Sequence, residues 1–264
     1  MVNIRTSTTS KPKLDDNYVL VMTACIDPGG QHPELNRRDP NVRRQDYEEA
    51  LRFWITHPDP RLKKIVFIEN TGYPLQTLQD AAVAADIYHK KVEFISLQCN
   101  GCPPGLSYGY PELTMLDIGL PQSRLFQDSK YIIKTTGRLV FPDLPRLLNR
   151  LPDSYMFAVD SRDNKLRGRP FITTQLMIFA SEFYRSRLFG IRDQMTPQFE
   201  FIEHLFYQKL MTFKGQPGAI LRWPVNVDPV GRAGHNGKDY SSPQKRALSV
   251  ARAASRVLLP RWWI

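Results

Sequence analysis

The sequence predicts an α/β domain with a mostly parallel sheet flanked by helices, followed by a basic amphipathic tail. Three observations carry this. Apolar runs such as Tyr18 to Ile26 (YVLVMTACI) are continuous, as in strands buried on both faces. Segments with helical apolar spacing alternate with those runs, which favours right-handed crossovers between parallel strands. Several runs stop on glycine, proline or charged residues, where loops leave a sheet.

Residues 1–16 are polar and are expected to form a flexible tail, with the folded domain spanning 17–230 and a glycine-rich loop and basic tail over 231–264. The first strand stops at Asp27-Pro28-Gly29-Gly30, and the segment to Arg44 reads as a basic loop. Its glycines fit neither G-x-G-x-x-G nor a P-loop, so neither a Rossmann dinucleotide site nor a Walker ATPase is supported. Asp46 to Thr56 places Tyr47, Ala50, Leu51 and Trp54 on one helical face. A second strand, Lys64 to Glu69, ends in Glu69-Asn70-Thr71-Gly72-Tyr73, where an acid and an amide suit either a ribose or base edge or the cap of the next helix. Leu75 to Tyr88 reads as that helix and Val92 to Leu97 as the third strand. Gly101 to Glu112 (GCPPGLSYGYPE) reads as a loop, either a lid or a long connection, leading into a helix over Leu113 to Leu120.

The stretch from Tyr131 to Arg162 is chemically the richest. A strand at Tyr131 to Ile133 runs into Lys134-Thr135-Thr136-Gly137-Arg138. A helix over Leu144 to Leu151 and a strand over Tyr155 to Val159 follow, ending on Asp160-Ser161-Arg162. Ligands of α/β sheets bind outside strand carboxyl ends. Two cations around Thr-Thr-Gly suit a diphosphate there, and solvated charges are the alternative. Pro170 to Phe179 reads as a strand, Glu182 to Leu188 as a helix start, and Thr196-Pro197 as the N-terminus of a helix through Met211. That helix carries Glu203 and His204, a candidate general base with its neighbour, or a surface ion pair.

Charge narrows the partners. Thirty-six Lys and Arg against 26 Asp and Glu give +10, which implies a polyanionic partner: nucleic acid, anionic lipid or a phosphate-bearing substrate. The three cysteines do not make a disulfide scaffold, and Cys99-Asn100-Gly101-Cys102 lacks the second pair of a zinc site. With no secretory pattern and no apolar run near the roughly 20 residues needed to span a bilayer, a cytoplasmic body is expected. Lys245 to Ile264 interleaves Arg246, Arg252, Arg256 and Arg261 with Leu248, Val250, Val257 and Leu258 and ends in Trp262-Trp263-Ile264. Such a segment suits an anionic membrane surface, here the inner face of the plasma membrane, or a terminal helix docked on the core.

The helix D-Y-x-x-A-L-x-x-W, the segments I-V-F-I-E-N-T-G-Y, V-E-F-I-S-L, G-Y-P-E and K-T-T-G-R, the I-E-H helix and the G-x-x-G-x-x-Y loop together resemble small bacterial GT-A-like glycosyltransferases of surface-polysaccharide assembly (O-antigen, capsule, lipopolysaccharide), over roughly residues 18 to 245. The resemblance implies transfer of a sugar from a nucleotide-sugar donor, a UDP-sugar first, to a lipid-linked or polysaccharide acceptor at the cytoplasmic membrane face. It implies that Glu69 and Asn70 face the nucleoside, that Tyr110 and Glu112 close over the donor, and that Lys134 and Arg138 hold the diphosphate. It places Asp160 at the sugar or a single metal and, for an inverting mechanism, Glu203 as the base with His204 as orienter or alternate; a retaining mechanism leaves Glu203 without a task. A departure stands out: such enzymes carry Asp-x-Asp for a divalent cation, whereas this chain has Asp160-Ser161-Arg162. Arg162 is therefore expected to take up diphosphate charge, with either a weak Mg²⁺ or Mn²⁺ site or a metal-independent mechanism. No nucleic acid is expected as partner. The rival readings are a basic nucleic-acid-binding protein, whose cations would line one face rather than strand ends, and a non-catalytic membrane-associated scaffold.

Overall fold

The structure is a computed structural model that describes residues 17–30, 35–163, 168–197, 201–233, 237, 239–240 and 243–258. Its order begins β1 (Tyr18–Ala24), α1 (Pro40–Ile55), β2 (Lys64–Glu69), α2 (Gln76–Ala85), β3 (Lys91–Ser96), α3 (Gly109–Gly119), α4 (Arg124–Gln127), β4 (Tyr131–Thr136) and α5 (Leu144–Leu148). It continues with β5 (Phe157–Ala158), β6 (Ser161–Arg162), β7 (Phe171–Ile172), β8 (Leu176–Ala180), α6 (Ser181–Phe183), α7 (Ile202–Met211), β9 (Ala219–Ile220) and α8 (Pro243–Leu258). The main sheet has seven strands in the order β3-β2-β1-β4-β8-β5-β9. The first four are mutually parallel, and β8 runs antiparallel to both β4 and β5. The predicted class, a mostly parallel sheet flanked by helices, is the one observed.

Strand pleating sorts β1 into two layers. Leu20 and Met22 pack with Tyr47, Leu51 and Trp54 of α1 and Leu78 of α2. Val19 and Val21 pack on the opposite face with Leu113 and Leu116 of α3 and Leu205 and Phe206 of α7. Every residue of β1 is buried, which explains its unbroken apolar run. Strand order reverses direction between β1 and β4, since β1 leads outward to β2 and β3 while β4 sits on its other side. This is the switch point at which α/β sheets open a crevice.

Several boundaries differ from the sequence reading for local reasons. The basic segment to Arg44 is not all loop: Asp39 caps α1 through its side chain to the Asn41 amide, with Pro40 in the first turn. Strand β4 extends to Thr136, so Lys134 lies inside the sheet rather than at its exit. The run from Pro170 to Phe179 breaks into β7 and β8, and α3 begins at Gly109, so Tyr110 and Glu112 are helical. Helix α7 begins at Ile202, not at Thr196-Pro197. The expected N-terminal tail and Trp262-Trp263 lie outside the described residues.

The C-terminal helix α8 is docked with its polar side inward. Arg256 donates to the Trp223 carbonyl at 2.7 Å and pairs with Asp160 at 2.5 Å. Ser249 bonds to Asp228, and the Asn226 side chain donates to Ser249 at 2.8 Å. Leu258 stands exposed on the outer side, at 76%, and Leu248 and Val250 are exposed along the flanks of the helix. Among the described residues no helix is long and apolar enough to cross a membrane.

Candidate functional site

A cleft with about 990 Å³ of empty space, its open mouth included, lies over the C-terminal ends of β1, β2 and β4. The close approach of the strands there depends on Gly137. Its amide donates to the Thr23 carbonyl at 2.9 Å, and a Cβ at that position would meet the same oxygen at 2.7 Å. Because β8 runs antiparallel, its entrance brings Thr174 and Gln175 to the edge where β4 exits, with the Thr136 amide bonded to the Gln175 carbonyl at 2.9 Å.

Two carboxylates face this cleft, Glu112 from α3 and Glu203 from the first turn of α7. Lys134 lies beneath it. Its ammonium pairs with Glu112 at 2.6 Å and donates to the Thr174 carbonyl at 2.7 Å, so the lysine is a buried brace rather than an open cation. The Thr23 hydroxyl donates to Glu112 at 2.9 Å and the Thr174 hydroxyl to Glu203 at 3.0 Å. Burial raises the Glu203 pKa above its ordinary value and the Glu112 charge adds to the rise; hydrogen bonds from its own amide and from Thr174, and the Lys134 charge, oppose it. Such a carboxyl is tuned toward proton transfer nearer neutrality than a solvated glutamate. Tyr108, also in the wall, has its phenol pushed up by burial and then by Glu203 and Glu112.

The helices that carry the two carboxylates touch close to them. Gly109 packs against Ile202 so tightly that a Cβ would come within 2.2 Å of the isoleucine Cγ2. Glu112 is three residues from that contact and Glu203 one residue from it.

Of the residues singled out from the sequence, Asn70, Glu112, Arg138 and Glu203 line the cleft. Arg162 lines its continuation, a second cavity that shares Thr174, Gln175, Glu203 and Tyr240 with the first and is bounded by Ser249 and Arg252 of α8. The other five stand outside both walls. Glu69 is fully buried and accepts from the amides of Ile26, Thr71 and Tyr73 at 2.9–3.0 Å and from the Thr71 hydroxyl at 2.5 Å, clamping the ends of β1 and β2. Tyr110 packs in the core beneath α3. Lys134 is the brace already described. His204 turns its Nδ1 to the Pro170 carbonyl at 2.9 Å, away from Glu203's cleft. Asp160 is 2% exposed and is held by Arg256 at 2.5 Å and Arg162 at 3.5 Å.

That last arrangement answers the metal question in chemical terms. A divalent cation wants several oxygen donors free of competing cations, but each Asp160 oxygen is paired with a guanidinium. Among the described residues no three His, Cys, Asp or Glu side chains gather to hold a metal. The residues at the Asp160 position do not fit a Mg²⁺ or Mn²⁺ centre. The cysteines are free, and burial pushes the Cys99 thiol up to about 11, the direction opposite to a reactive thiolate.

Sequence reading missed Arg43, which the Asp39-Pro40 start of α1 carries to the end of β1 and into the cleft wall. It also missed Tyr108 and Tyr240. The Asp-Pro pair was the available signal for Arg43, because it fixes where the helix begins.

No protein-family model matches the chain, and no curated protein matches it. Among solved structures, the chain is similar to an active-site mutant of LgtC, with 11% identity, TM-score 0.46, and 88% of this chain and 95% of that chain covered. It is similar to core-mannan synthase A of Aspergillus fumigatus in its Mn/GDP form, with 9% identity, TM-score 0.44 and coverage of 83% and 76%. It is likewise similar to 4-diphosphocytidyl-2C-methyl-D-erythritol synthase, with 11% identity, TM-score 0.43 and coverage of 90% and 99%. The likeness is one of chain arrangement; the chemistry of this cleft is carried by its own residues.

Proposed function

We propose that the protein is a nucleotide-sugar-dependent glycosyltransferase. The observation that carries the reading is the cleft itself: a desolvated Glu203, a braced Glu112 and Arg138 line one pocket at the switch point of a mostly parallel sheet. In this reading the donor's diphosphate lies near Arg138 and its sugar near Glu112. Glu203 takes the proton of an acceptor hydroxyl while that oxygen bonds to the anomeric carbon, and the bond from that carbon to the nucleoside diphosphate breaks. This is the inverting course. The second cavity, which opens on the same Glu203, takes the acceptor, a glycan or a lipid-linked sugar. A UDP-sugar is the first donor to test, and a role in bacterial surface-polysaccharide assembly remains the biological setting suggested by the sequence resemblance. The outward apolar side of α8 and the basic C-terminal segment support docking on an anionic membrane surface. Two arginines of that helix are turned elsewhere, Arg256 to Asp160 and Arg252 to the second cavity, so the apolar side and the remaining basic residues supply the contact.

A thermal-shift screen of nucleotide sugars, with EDTA or Mn²⁺, tests the reading. A donor at 100 times its Kd stabilises by about 2.7 kcal/mol, roughly 5–10 °C for a chain of this size. The Glu203→Gln variant is expected to keep that shift and lose transfer. A chain that binds no nucleotide sugar under either condition overturns the proposal. Sedimentation with phosphatidylserine vesicles tests the surface, and a chain that stays in the supernatant removes it.

A further inference from the structure

Two buried polar groups in the cleft wall have no part in the chemistry above, and they point to how the donor is held. Arg43 is 2% exposed and reaches from α1 under the end of β1. Its Nε donates to the Cys25 carbonyl at 2.7 Å, Nη1 to the Arg37 carbonyl at 3.0 Å and Nη2 to the Tyr47 hydroxyl at 3.3 Å. All three partners are neutral, and no carboxylate among the described residues pairs with it. Other arginines held inside the fold behave differently: buried Arg61 pairs with Asp59 and half-buried Arg256 with Asp160. A guanidinium has five N–H donors, so Arg43 keeps two in reserve beside a cavity. Burying a cation without a counter-ion is costly, and an anionic ligand removes that cost.

The second group is Asn70, also 2% exposed. Its main chain is satisfied, with the amide bonded to the Ala24 carbonyl at 3.1 Å and the carbonyl accepting from Cys99 at 2.8 Å. Its side-chain Oδ1 has no partner, yet the residue lines the cleft. An unpaired buried acceptor calls for a donor N–H or O–H. Arg138 completes the set. Its Nε bonds to the Arg232 carbonyl at 3.2 Å, and its two Nη groups have no partner among the described residues. Arg43, Arg138 and Asn70 all line this one cleft.

We propose that Arg43 and Arg138 form a metal-free clamp for the two phosphates of a nucleoside diphosphate, and that Asn70 Oδ1 accepts a hydrogen bond from the nucleoside. The inference rests on the nucleotide-sugar reading and assigns to Arg43 the place that the sequence suggested for Lys134. Built-in guanidiniums take the diphosphate charge in place of a cation at Asp160, which is already paired.

Calorimetry in EDTA tests it, using UDP, GDP, CDP and ADP with the matching monophosphates and nucleosides. For wild type, the preferred diphosphate is expected to bind at least about tenfold tighter than its nucleoside, the size of one charge-assisted contact. Arg43→Met is expected to remove about 10- to 100-fold of diphosphate affinity and leave nucleoside affinity unchanged. Asn70→Ala weakens diphosphate and nucleoside by the same factor. If Arg43→Met does not fold, Arg43→Lys, which keeps the charge and loses the fork, is measured in its place and is expected to lose about tenfold. A diphosphate increment that is unchanged in the folded Arg43 variant, or that appears only with Mn²⁺, overturns the clamp while leaving the nucleotide reading intact. Wild-type protein that binds none of the nucleotides overturns both.

Discussion

Replacing Glu69 by Gln separates a brace from a ligand contact. The carboxylate accepts three backbone amides and one hydroxyl, and no part of it lines the cleft. A carboxamide keeps one oxygen and presents an NH₂ where the other stood. In its best orientation the NH₂ replaces the oxygen that faces Ile26 and Thr71, the Thr71 hydroxyl turns to accept from it, and one buried N–H, that of Ile26, is orphaned. An orphaned buried donor costs about 1–3 kcal/mol, and the remaining bonds lose their charge assistance. Relief of burying a charge offsets part of this, leaving a net loss of about 2 kcal/mol. For a chain of this length that lowers Tm by roughly 4–8 °C. Differential scanning calorimetry measures it, and Glu69→Ala, which orphans all three amides, should fall further. If Glu69→Gln melts with the wild type while nucleotide affinity collapses, Glu69 contacts ligand and the brace assignment is wrong.

Other expectations follow from the same geometry. As a general base Glu203 works deprotonated, so activity should fall on the acid side through a pKa raised above the ordinary glutamate value of 4.5. Folding stability conferred by its neutral form should in turn decline as pH rises from 4.5 through that raised value. Glu112→Gln removes a like charge and frees Lys134 to act on Glu203, and both effects lower the Glu203 pKa. The acid limb of the pH–rate profile should then move to lower pH, and an upward move would refute the coupling. Arg256→Ala leaves Asp160 with Arg162 alone at 3.5 Å, a loss of about 3 kcal/mol in a buried pair. Because α8 is a peripheral element, the expected readout is faster proteolysis around residues 243–258, and wild-type resistance would show that the latch is dispensable. Gly109→Ala forces α3 and α7 apart at a cost of about 1–3 kcal/mol and should depress turnover. Trimming the partner in Gly109→Ala/Ile202→Ala should restore turnover, and no recovery would argue against the spacing role.

The sheet was readable because burial on both faces leaves an unbroken apolar signature, as in Tyr18 to Ala24, and because charge clusters mark where strands exit. Arg138 was readable from the charge cluster that follows the β4 run and Glu203 as a carboxylate beside a histidine on a helix, while Glu112 came only through the resemblance. What one dimension does not record is the direction in which a polar side chain turns. Lys134 and Glu69 carry the residue types of a phosphate or ribose contact, yet Lys134 is consumed by the distant Glu112 and Thr174, and Glu69 by the distant Ile26 together with its own turn, Thr71 and Tyr73. Asp160 looked like half of a metal motif, and its partner lay 96 residues downstream in a basic helix whose composition suggested a different use for its arginines. Arg43 was hidden for a simpler reason: its segment was taken as loop, and a residue's reach depends on where its helix starts.

The inside-out docking of α8 has a practical meaning for dissecting the protein. In an ordinary surface helix the apolar stripe anchors the element, so changing its stickiness also loosens it. Here anchoring is polar and adhesiveness is apolar, on opposite sides of the same helix. The two properties are separable: Leu258→Ser edits what the helix sticks to, while Arg256→Ala edits whether it stays in place. Adhesion can thus be tuned without rebuilding the wall that the helix lends to the second cavity.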